Sequence, residues 1–205
     1  MAGGAGTDVE EAKLEISRYE ELVDLCARER LNQAIPNGSI AHARVLIGKL
    51  FETARKSAVI VSDCLTDRND EQEEVYADAA VVARARDFLR RPGTCLKIML
   101  ESAPHNGVNN GFLKPVVEDK FRKGEVVVYL NSGLVSQGLA SHFMANDAQA
   151  YRRQIKDKKF EAVANFGDFK TAQLLGTLFE EAELYAKQKS VPRHSFNAGA
   201  KLSFA

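Results

Sequence analysis

The stretch Ser57–Ser62 reads Ser-Ala-Val-Ile-Val-Ser, a short apolar run that contains β-branched residues. It is too short for a buried helix, so it predicts a buried β-strand. Two similar runs follow at 96–100 and 125–130, and the segments between them, 71–91 and 112–123, carry apolar residues at helical spacing. Alternation of strands and helices at these lengths predicts right-handed βαβ crossovers. We therefore expect an α/β fold with a mixed, mainly parallel sheet and helices on both faces.

Further elements extend this pattern along the chain. Helices are predicted over 39–56 and 170–187, each with an apolar face. Segments 142–147 and 150–155 flank a tight turn, which predicts a β-hairpin. A further strand is expected over 161–166, in the same sheet as the preceding strands.

Composition divides the chain into three parts. Residues 1–37 combine a Gly- and Ala-rich start, expected to be disordered, with an acidic helix over 8–34. The sequence Pro36-Asn37-Gly38 ends that part, because proline and glycine interrupt regular structure. Residues 38–190 are expected to form the α/β domain, and the polar segment 191–205 a C-terminal arm.

Charge and composition exclude several classes of protein. The 205 residues carry 28 basic and 28 acidic side chains, a balance that excludes a histone-like basic protein but permits a local basic patch. The sequence has no apolar run of about eighteen residues and no signal-peptide pattern at its start, so we expect no membrane span. Cys26, Cys64 and Cys95 lie far apart among apolar neighbours, which favours reduced core thiols and a cytoplasmic protein.

Common signatures of cofactor sites are absent from the sequence. It contains no phosphate-binding glycine loop, no C-x-x-C pair and no H-E-x-x-H motif. The four histidines lie far apart, and none has a cysteine or histidine at ligand spacing. We therefore expect neither a metal nor an organic cofactor.

One group of residues in the last third suits phosphate chemistry. His142 begins a predicted strand, Asn165 ends another and Asp168 begins the following helix. A histidine nitrogen can attack phosphorus or bind an anionic oxygen, an asparagine amide supplies neutral donors, and Asp168 orients the imidazole or caps the helix. Arg152 or Arg153 supplies the positive charge that a phosphate requires. The alternative is that these side chains only satisfy backbone groups at a sheet edge.

A basic segment adjoins this group. Residues 152–159 hold five basic side chains and one acid, with an aromatic residue on either side. Lys156, Lys158 and Lys159 at its tip suit a nucleic-acid backbone. The alternative is a solvated hairpin tip whose charges prevent edge-to-edge aggregation.

The order of elements over about 38–188 resembles the phospholipase D-like superfamily. That superfamily is marked by His-x-Lys and Gly-Ser-x-Asn, and His142-Phe143-Met144 and Ala162-Val163-Ala164-Asn165 occupy the two positions here. The resemblance implies that His142 is a nucleophile forming a phospho-histidine intermediate and that Asn165 holds a phosphate oxygen. It also implies a homodimer, because the superfamily builds its active site from two halves and this chain contains one.

Departures from the superfamily pattern predict weak or lost hydrolase activity. Met144 stands where the phosphate-binding lysine belongs, and a methionine cannot neutralise a phosphate. Asp147 lies closer to His142 than the superfamily's aspartate does.

Three functions follow from these observations. The first is a divergent phospholipase D-like domain that binds phosphodiesters, principally nucleic acid, within a multi-protein bacterial defence or DNA-processing system. The second is an interaction module that keeps the fold without a working site and docks protein partners through its N-terminal helix. The third is an active, metal-independent nuclease assembled as a homodimer, with His142 as its nucleophile.

Overall fold

The computed structural model describes residues 5–65, 75–104, 106–130, 132–135, 138, 141–147, 149–155 and 161–204. The strands are β1 (Ile35–Asn37), β2 (Ser57–Ser62), β3 (Cys95–Leu100), β4 (Glu125–Tyr129), β5 (Phe143–Asn146), β6 (Tyr151–Gln154), β7 (Ala162–Asn165) and β8 (Arg193–Phe196). The helices are α1 (Ala5–Glu29), α2 (Ile40–Thr53), α3 (Ala79–Leu89), α4 (Leu113–Val117) and α5 (Phe169–Gln188). All eight described strands form one sheet in the order β1-β7-β6-β5-β2-β3-β4-β8.

The α/β fold with helices on both faces is confirmed, but the sheet is mixed rather than mainly parallel. Strands β2, β3 and β4 run parallel to one another, as their βαβ connections require. Every other neighbouring pair in the described sheet is antiparallel. The βαβ pattern governs only the centre of the sheet, because the hairpin strands and the two edge strands add antiparallel neighbours around it.

Helix boundaries differ from the sequence prediction where polar side chains stop or start a helix. Helix α3 begins at Ala79, because the Asp78 carboxylate accepts the Ala80 and Val81 amide protons. Residues 71–74, predicted as its beginning, lie outside the described residues. Helix α4 ends at Val117, because the Asp119 carboxylate accepts the Phe121 amide proton and turns the chain.

The two edge strands were not expected from the sequence. Strand β1 contains Pro36 opposite Val163 of β7. Proline lacks an amide proton and is tolerated in a sheet mainly at an edge, which is where β1 lies. Strand β8 pairs with β4 and comes from the segment predicted to be an arm. Both strands extend the sheet beyond the segment 57–166.

A buried arginine holds the C-terminal segment on the protein. The Arg122 side chain donates to the carbonyl oxygens of Val117 (3.0 Å), Gly124 (2.7 Å), Phe196 (2.7 Å) and Asn197. Burial lowers the pKa of this guanidinium, but its donors all point at oxygen atoms. Arg122 thus joins the turn before β4 to the end of β8.

Two apolar cores lie on opposite faces of the sheet. One contains side chains of α1, α2, α3 and α4, and the other contains side chains of α5. In the α5 core, Leu175 and Phe179 are 4% and 1% exposed, which confirms the inward face predicted for this helix. Cys26 is buried as predicted, whereas Cys64 and Cys95 are only half-buried, and all three are free thiols. No described helix has both the length and the apolar character that a membrane crossing needs.

A buried carboxylate joins α3 to the turn after α4. The Asp119 side chain accepts hydrogen bonds from Arg86 Nε (3.2 Å) and Arg90 Nε (2.8 Å). Burial raises its pKa, but the two guanidinium hydrogen bonds outweigh burial and lower the pKa from 3.8 to about 2. The ionised carboxylate is therefore the form that the fold favours.

Replacing Phe179 with alanine tests the assignment of the second core. We expect Phe179→Ala to lower the free energy of unfolding by about 3–5 kcal/mol, because it removes a large buried ring. Leu174, on the outer surface of the same helix at 65% exposure, provides the control, and Leu174→Ala should change stability little. Equal denaturant midpoints for the two variants would contradict the packing described.

The Asp119 ion pairs predict a specific acid sensitivity. A carboxyl group with a lowered folded pKa stabilises the fold above its unfolded pKa and loses that contribution as pH falls through its folded pKa. We expect Asp119→Asn to cost about 2 kcal/mol at neutral pH and to flatten the stability loss between about pH 4 and pH 2. The control is Asp87→Asn, which removes an exposed partner of Arg90. Parallel curves of unfolding free energy against pH for the parent and Asp119→Asn would refute this prediction.

Candidate functional site at the carboxyl edge of the sheet

His142 lies at the edge of the sheet where the parallel strands end. Strand β5 pairs with β2 in a register that puts Phe143 opposite Val61, so His142 comes next to Ser62, the last residue of β2. Ligands of open α/β sheets commonly bind outside the carboxyl ends of the parallel strands. We call this region the carboxyl edge and define it by Ser62, Leu100, Tyr129, His142 and Gln154.

Gln154 is the side chain that contacts His142 directly. The His142 Nδ1 atom lies 2.8 Å from the side-chain oxygen Oε1 of Gln154. The backbone N–H of Gln154 donates to the His142 carbonyl oxygen at 2.9 Å. Within the described part of the chain, this is the hydrogen bond that the imidazole makes. Because Gln154 is an amide, it can hold either neutral tautomer of the ring by turning its own oxygen and nitrogen over.

Gln154 was not predicted as the neighbour of His142. Counting back from the turn between the predicted strands 142–147 and 150–155 pairs His142 with Ile155, whereas the observed register pairs Phe143 with Arg153 and Met144 with Arg152 and so puts His142 opposite Gln154. The neighbour of His142 is therefore on β6, whereas the predicted partner Asn165 is on β7.

Asn165 lies toward the other end of the strands, on the side where β2 begins. It pairs with Tyr151, which pairs with Ala145, so it is three register positions and two strands away from His142. At about 3.3 Å per residue and about 4.8 Å per strand, that separation is about 14 Å. The structure does not bring these two side chains together.

The Asn165 side chain forms the turn into α5. Its Oδ1 atom accepts the amide protons of Gly167 (2.8 Å) and Asp168 (2.7 Å), and its Nδ2 atom donates to Asn32 Oδ1 (3.0 Å). The residue is only 4% exposed. In this position Asn165 satisfies backbone donors and joins β7 to the segment after α1.

Asp168 caps α5 at the same end of β7. Its Oδ1 atom accepts the Thr171 amide proton at 3.1 Å, and its Oδ2 atom accepts from the Tyr151 hydroxyl at 3.2 Å. Hydrogen bonding by Thr171 is the main cause that lowers the pKa of this carboxyl. Of the two roles predicted for Asp168, the structure places it where it caps the helix.

The two adjacent arginines of β6 differ in their surroundings. Arg152 is 6% exposed, and its Nε atom donates to Asn37 Oδ1 at 2.9 Å. Arg153 is exposed and pairs in register with Phe143, one position from His142. Of the two, only Arg153 presents its guanidinium to solvent. It pairs with Phe143 and so lies on the α5 face of the sheet, whereas His142 lies on the other face, because successive side chains of a strand alternate.

Met144 leaves the carboxyl edge without a lysine at the matched position. Its side chain is 1% exposed within the apolar core. A second hairpin, formed by β6 and β7, extends past Gln154, because the Ile155 backbone amide donates to the Glu161 carbonyl oxygen at 2.8 Å. Lys156, Lys158 and Lys159, predicted to bind nucleic acid, fall outside the described residues.

Carboxylates occupy the other half of the carboxyl edge. Asp63 Oδ1 accepts from the Ser102 hydroxyl at 2.8 Å, and Glu101 Oε1 accepts from the Ser132 hydroxyl (3.0 Å) and the Val135 amide (2.7 Å). These acids follow β2 and β3 and disfavour an anion there. Among the described residues, no group of three or more His, Cys, Asp or Glu side chains could hold a metal ion.

Comparisons with known proteins give a likeness of fold only. No protein-family model and no curated protein matches the chain. The chain is similar to TrmBL2, an archaeal chromatin protein with a novel mode of DNA binding, at 14% identity and a TM-score of 0.48 over 89% of this chain and 64% of that protein. It is also similar to NucT from Helicobacter pylori, at 13% identity and a TM-score of 0.42 over 80% of this chain and 98% of that one. Matches of this strength carry no conclusion about function.

The bonds of Asn165 predict a structural effect for its removal. Asn165→Ala leaves buried backbone donors without an acceptor, and we expect it to lower the free energy of unfolding by about 1–3 kcal/mol. Phosphodiester binding by the folded variant should be unchanged, since Asn165 lies far from the carboxyl edge. The check is a denaturation curve and a binding isotherm on the same preparation. Parent-like stability combined with lost binding would instead support the phosphate-holding role implied by the resemblance.

Proposed function

We propose that this protein is a divergent phospholipase D-like domain that binds phosphodiesters, principally single strands of nucleic acid, and has weak or no hydrolase activity. The contact surface is the part of the carboxyl edge formed by the ends of β5 and β6, with His142 on one face of the sheet and Arg153 on the other as its described members. The hairpin lysines Lys156, Lys158 and Lys159 belong to the proposal on their sequence alone.

The observation that carries the proposal is the neutral partner of His142. A catalytic histidine is usually held by a carboxylate, which fixes its tautomer and stabilises the imidazolium that forms during reaction. The Gln154 amide carries no charge, so it offers no such stabilisation. It still orients the ring. In the arrangement shown, its oxygen accepts from Nδ1; with the amide turned over, its nitrogen would donate to Nδ1 and leave the Nε2 proton to donate to a phosphate oxygen.

The distribution of charge near His142 supports binding more than catalysis. Transfer of a phosphoryl group needs a fixed cation at the developing charge, and the matched position holds buried Met144 instead. Arg152 remains a predicted phosphate ligand, but its guanidinium would first have to leave Asn37. Arg153 needs no such rearrangement. Asp63 and Glu101 repel phosphates from the other half of the edge and so favour a path along the β5–β6 hairpin.

A protein-docking function is the second candidate, and one observation favours it. Leu14 and Leu25 of α1 are 51% and 41% exposed on a helix rich in acidic residues. An apolar and acidic surface of this kind suits a partner with a basic, apolar segment. The predicted homodimer and the defence or DNA-processing context also remain proposals drawn from the resemblance.

The test of binding compares two variants with equal loss of charge. The first combines Arg153→Ala, Lys158→Ala and Lys159→Ala, and the control combines Arg28→Ala, Lys187→Ala and Lys189→Ala. We expect the parent and the control to bind a fluorescein-labelled oligothymidylate with a steep salt dependence. The first variant should bind more weakly, with a slope of log K against log salt reduced by about two to three. Equal binding by all three proteins, or none by the parent, would overturn the proposal.

The test of catalysis uses the same preparations with a chelator present. The parent and His142→Ala should hydrolyse bis(p-nitrophenyl) phosphate at the same background rate, because among the described residues the imidazole is bonded to the neutral Gln154 amide and to no cation or carboxylate. Chelator-resistant turnover that His142→Ala abolishes would favour the active nuclease. Absence of oligonucleotide binding, with normal folding of the parent, would favour the protein-docking module.

A further inference from the structure

An exposed aromatic ring surrounded by cations lies at the other end of the sheet. Phe121, in the turn between α4 and β4, is 58% exposed. The Arg90 guanidinium carbon lies 5.5 Å from the centre of its ring, and the Lys120 Nζ atom lies 4.9 Å from it. We call Phe121, Arg90 and Lys120 the Phe121 platform.

The turn holds this ring outward by several contacts. Asp119 accepts the Phe121 amide proton, and the next side chain, Arg122, is buried and donates to the Val117 carbonyl oxygen. The amides of Lys123 and Gly124 both donate to the Leu89 carbonyl oxygen, at 2.9 and 2.7 Å. A Cβ atom on Gly124 would lie 2.2 Å from the Thr94 hydroxyl oxygen, so the backbone there packs too closely for any other residue. The ring is therefore presented by a fixed turn.

The charge around the ring is positive, although the chain as a whole has no net charge. Six exposed or half-exposed cations and three carboxylates come from the end of α3 and from α4 with its following turn. The cations are Arg86, Arg90, Arg91, Lys114, Lys120 and Lys123. Asp119 accepts hydrogen bonds from both Arg86 and Arg90, so one negative charge fixes two positive ones. An open groove of about 490 Å³ is lined by the cations Arg86, Lys114 and Lys120 together with Pro115, Glu118 and Asp119, and Asp119 is the carboxylate already bonded to Arg86 and Arg90.

We propose that the Phe121 platform is a binding site for single-stranded nucleic acid. One base stacks on the Phe121 ring, and the neighbouring phosphates contact Lys120 and the groove cations Lys114 and Arg86. An exposed ring among cations is what binding of single strands requires, because bases stack on aromatic faces and the backbone needs positive charge. Duplex DNA does not meet this requirement, since its base faces are already stacked. The site lies at the amino ends of β3 and β4, away from His142, and does not rest on the function proposed above.

The sequence contains no tryptophan, which allows a local test. Phe121→Trp keeps a stacking surface and introduces a single fluorophore at the site. The matched control is Phe169→Trp, at an exposed phenylalanine that is 41% accessible on α5. Each variant is titrated with an unlabelled oligothymidylate of about 12 nucleotides, which matches the usual site size. The same titration is repeated with a duplex and at raised salt.

We expect the oligothymidylate to quench the indole of Phe121→Trp, with the effect reversed by salt and small for the duplex. The Phe169→Trp indole should not respond. In the same assay with labelled oligonucleotide, Phe121→Ala should bind about 5-fold to 100-fold more weakly than the parent. Lys120→Ala should reduce the salt slope by about one.

Three results would overturn the inference. They are no quenching of Phe121→Trp, equal quenching of both indoles, and a spectral change of Phe121→Trp that depends on protein concentration alone. The last would identify the ring as a contact between copies of the chain. These experiments distinguish the two proposed surfaces. The variant that combines Arg153→Ala, Lys158→Ala and Lys159→Ala tests the carboxyl edge, and the Phe121→Trp indole reports binding at the Phe121 platform independently of that result.

Discussion

The antiparallel pairing of β5 with β2 determines where His142 lies at the carboxyl edge and, through β6, where Gln154 lies. Asn146 Nδ2 donates to the Leu50 carbonyl oxygen at 2.8 Å, and the Asp147 carboxylate accepts the amide protons of Arg55 (2.8 Å) and Lys56 (2.7 Å). These bonds join the end of β5 to the turn between α2 and β2. A slip of one residue would break them and would turn the core face of β5 toward the other side of the sheet. The register is therefore strongly specified.

This register has a chemical consequence. It puts His142 beside Gln154 and puts Asn165 toward the other end of the strands, where it forms the turn into α5. It also directs Met144 into the core, so no cation stands beside the imidazole on its own strand. A half-exposed histidine held by a neutral amide is suited to hydrogen bonding with an anion. In the described part of the chain it has no bonded charged partner of the kind that phosphoryl transfer requires. These three positions together are the basis for proposing binding without turnover.

Much of the fold could be predicted from the spacing of apolar residues, because that spacing indicates whether a segment is a helix or a strand and which of its faces is buried. The buried strand β2 has the predicted bounds, and the inward face of α5 with Phe179 is as predicted. Strand β1 could not be predicted, since three residues around a proline give no periodic signal and the pairing depends on a distant strand. Strand β8 depends on Arg122, whose donors reach carbonyl oxygens some seventy residues away.

The site was harder to predict than the fold. The order of His142, the hairpin and Asn165 suggested proximity, but only the register shows which residues are neighbours across strands. The capping role of Asp168 was foreseeable, because aspartate is a preferred N-cap residue. The burial of Arg152 was not, since its partner Asn37 belongs to the strand that the sequence analysis did not anticipate.

The most direct test of the account is a titration of isotopically labelled protein with an unlabelled oligothymidylate, followed through backbone amide resonances. Apart from shifts at the Phe121 platform, binding at the carboxyl edge predicts that the largest shifts come from Ser62, His142, Arg153, Gln154 and Ile155, while Asn165 and its turn stay unperturbed. It also predicts that the intact oligonucleotide is recovered at the end of the titration. Perturbation of Asn165 without His142, or progressive cleavage of the oligonucleotide with the shifts returning to their free values, would contradict the account.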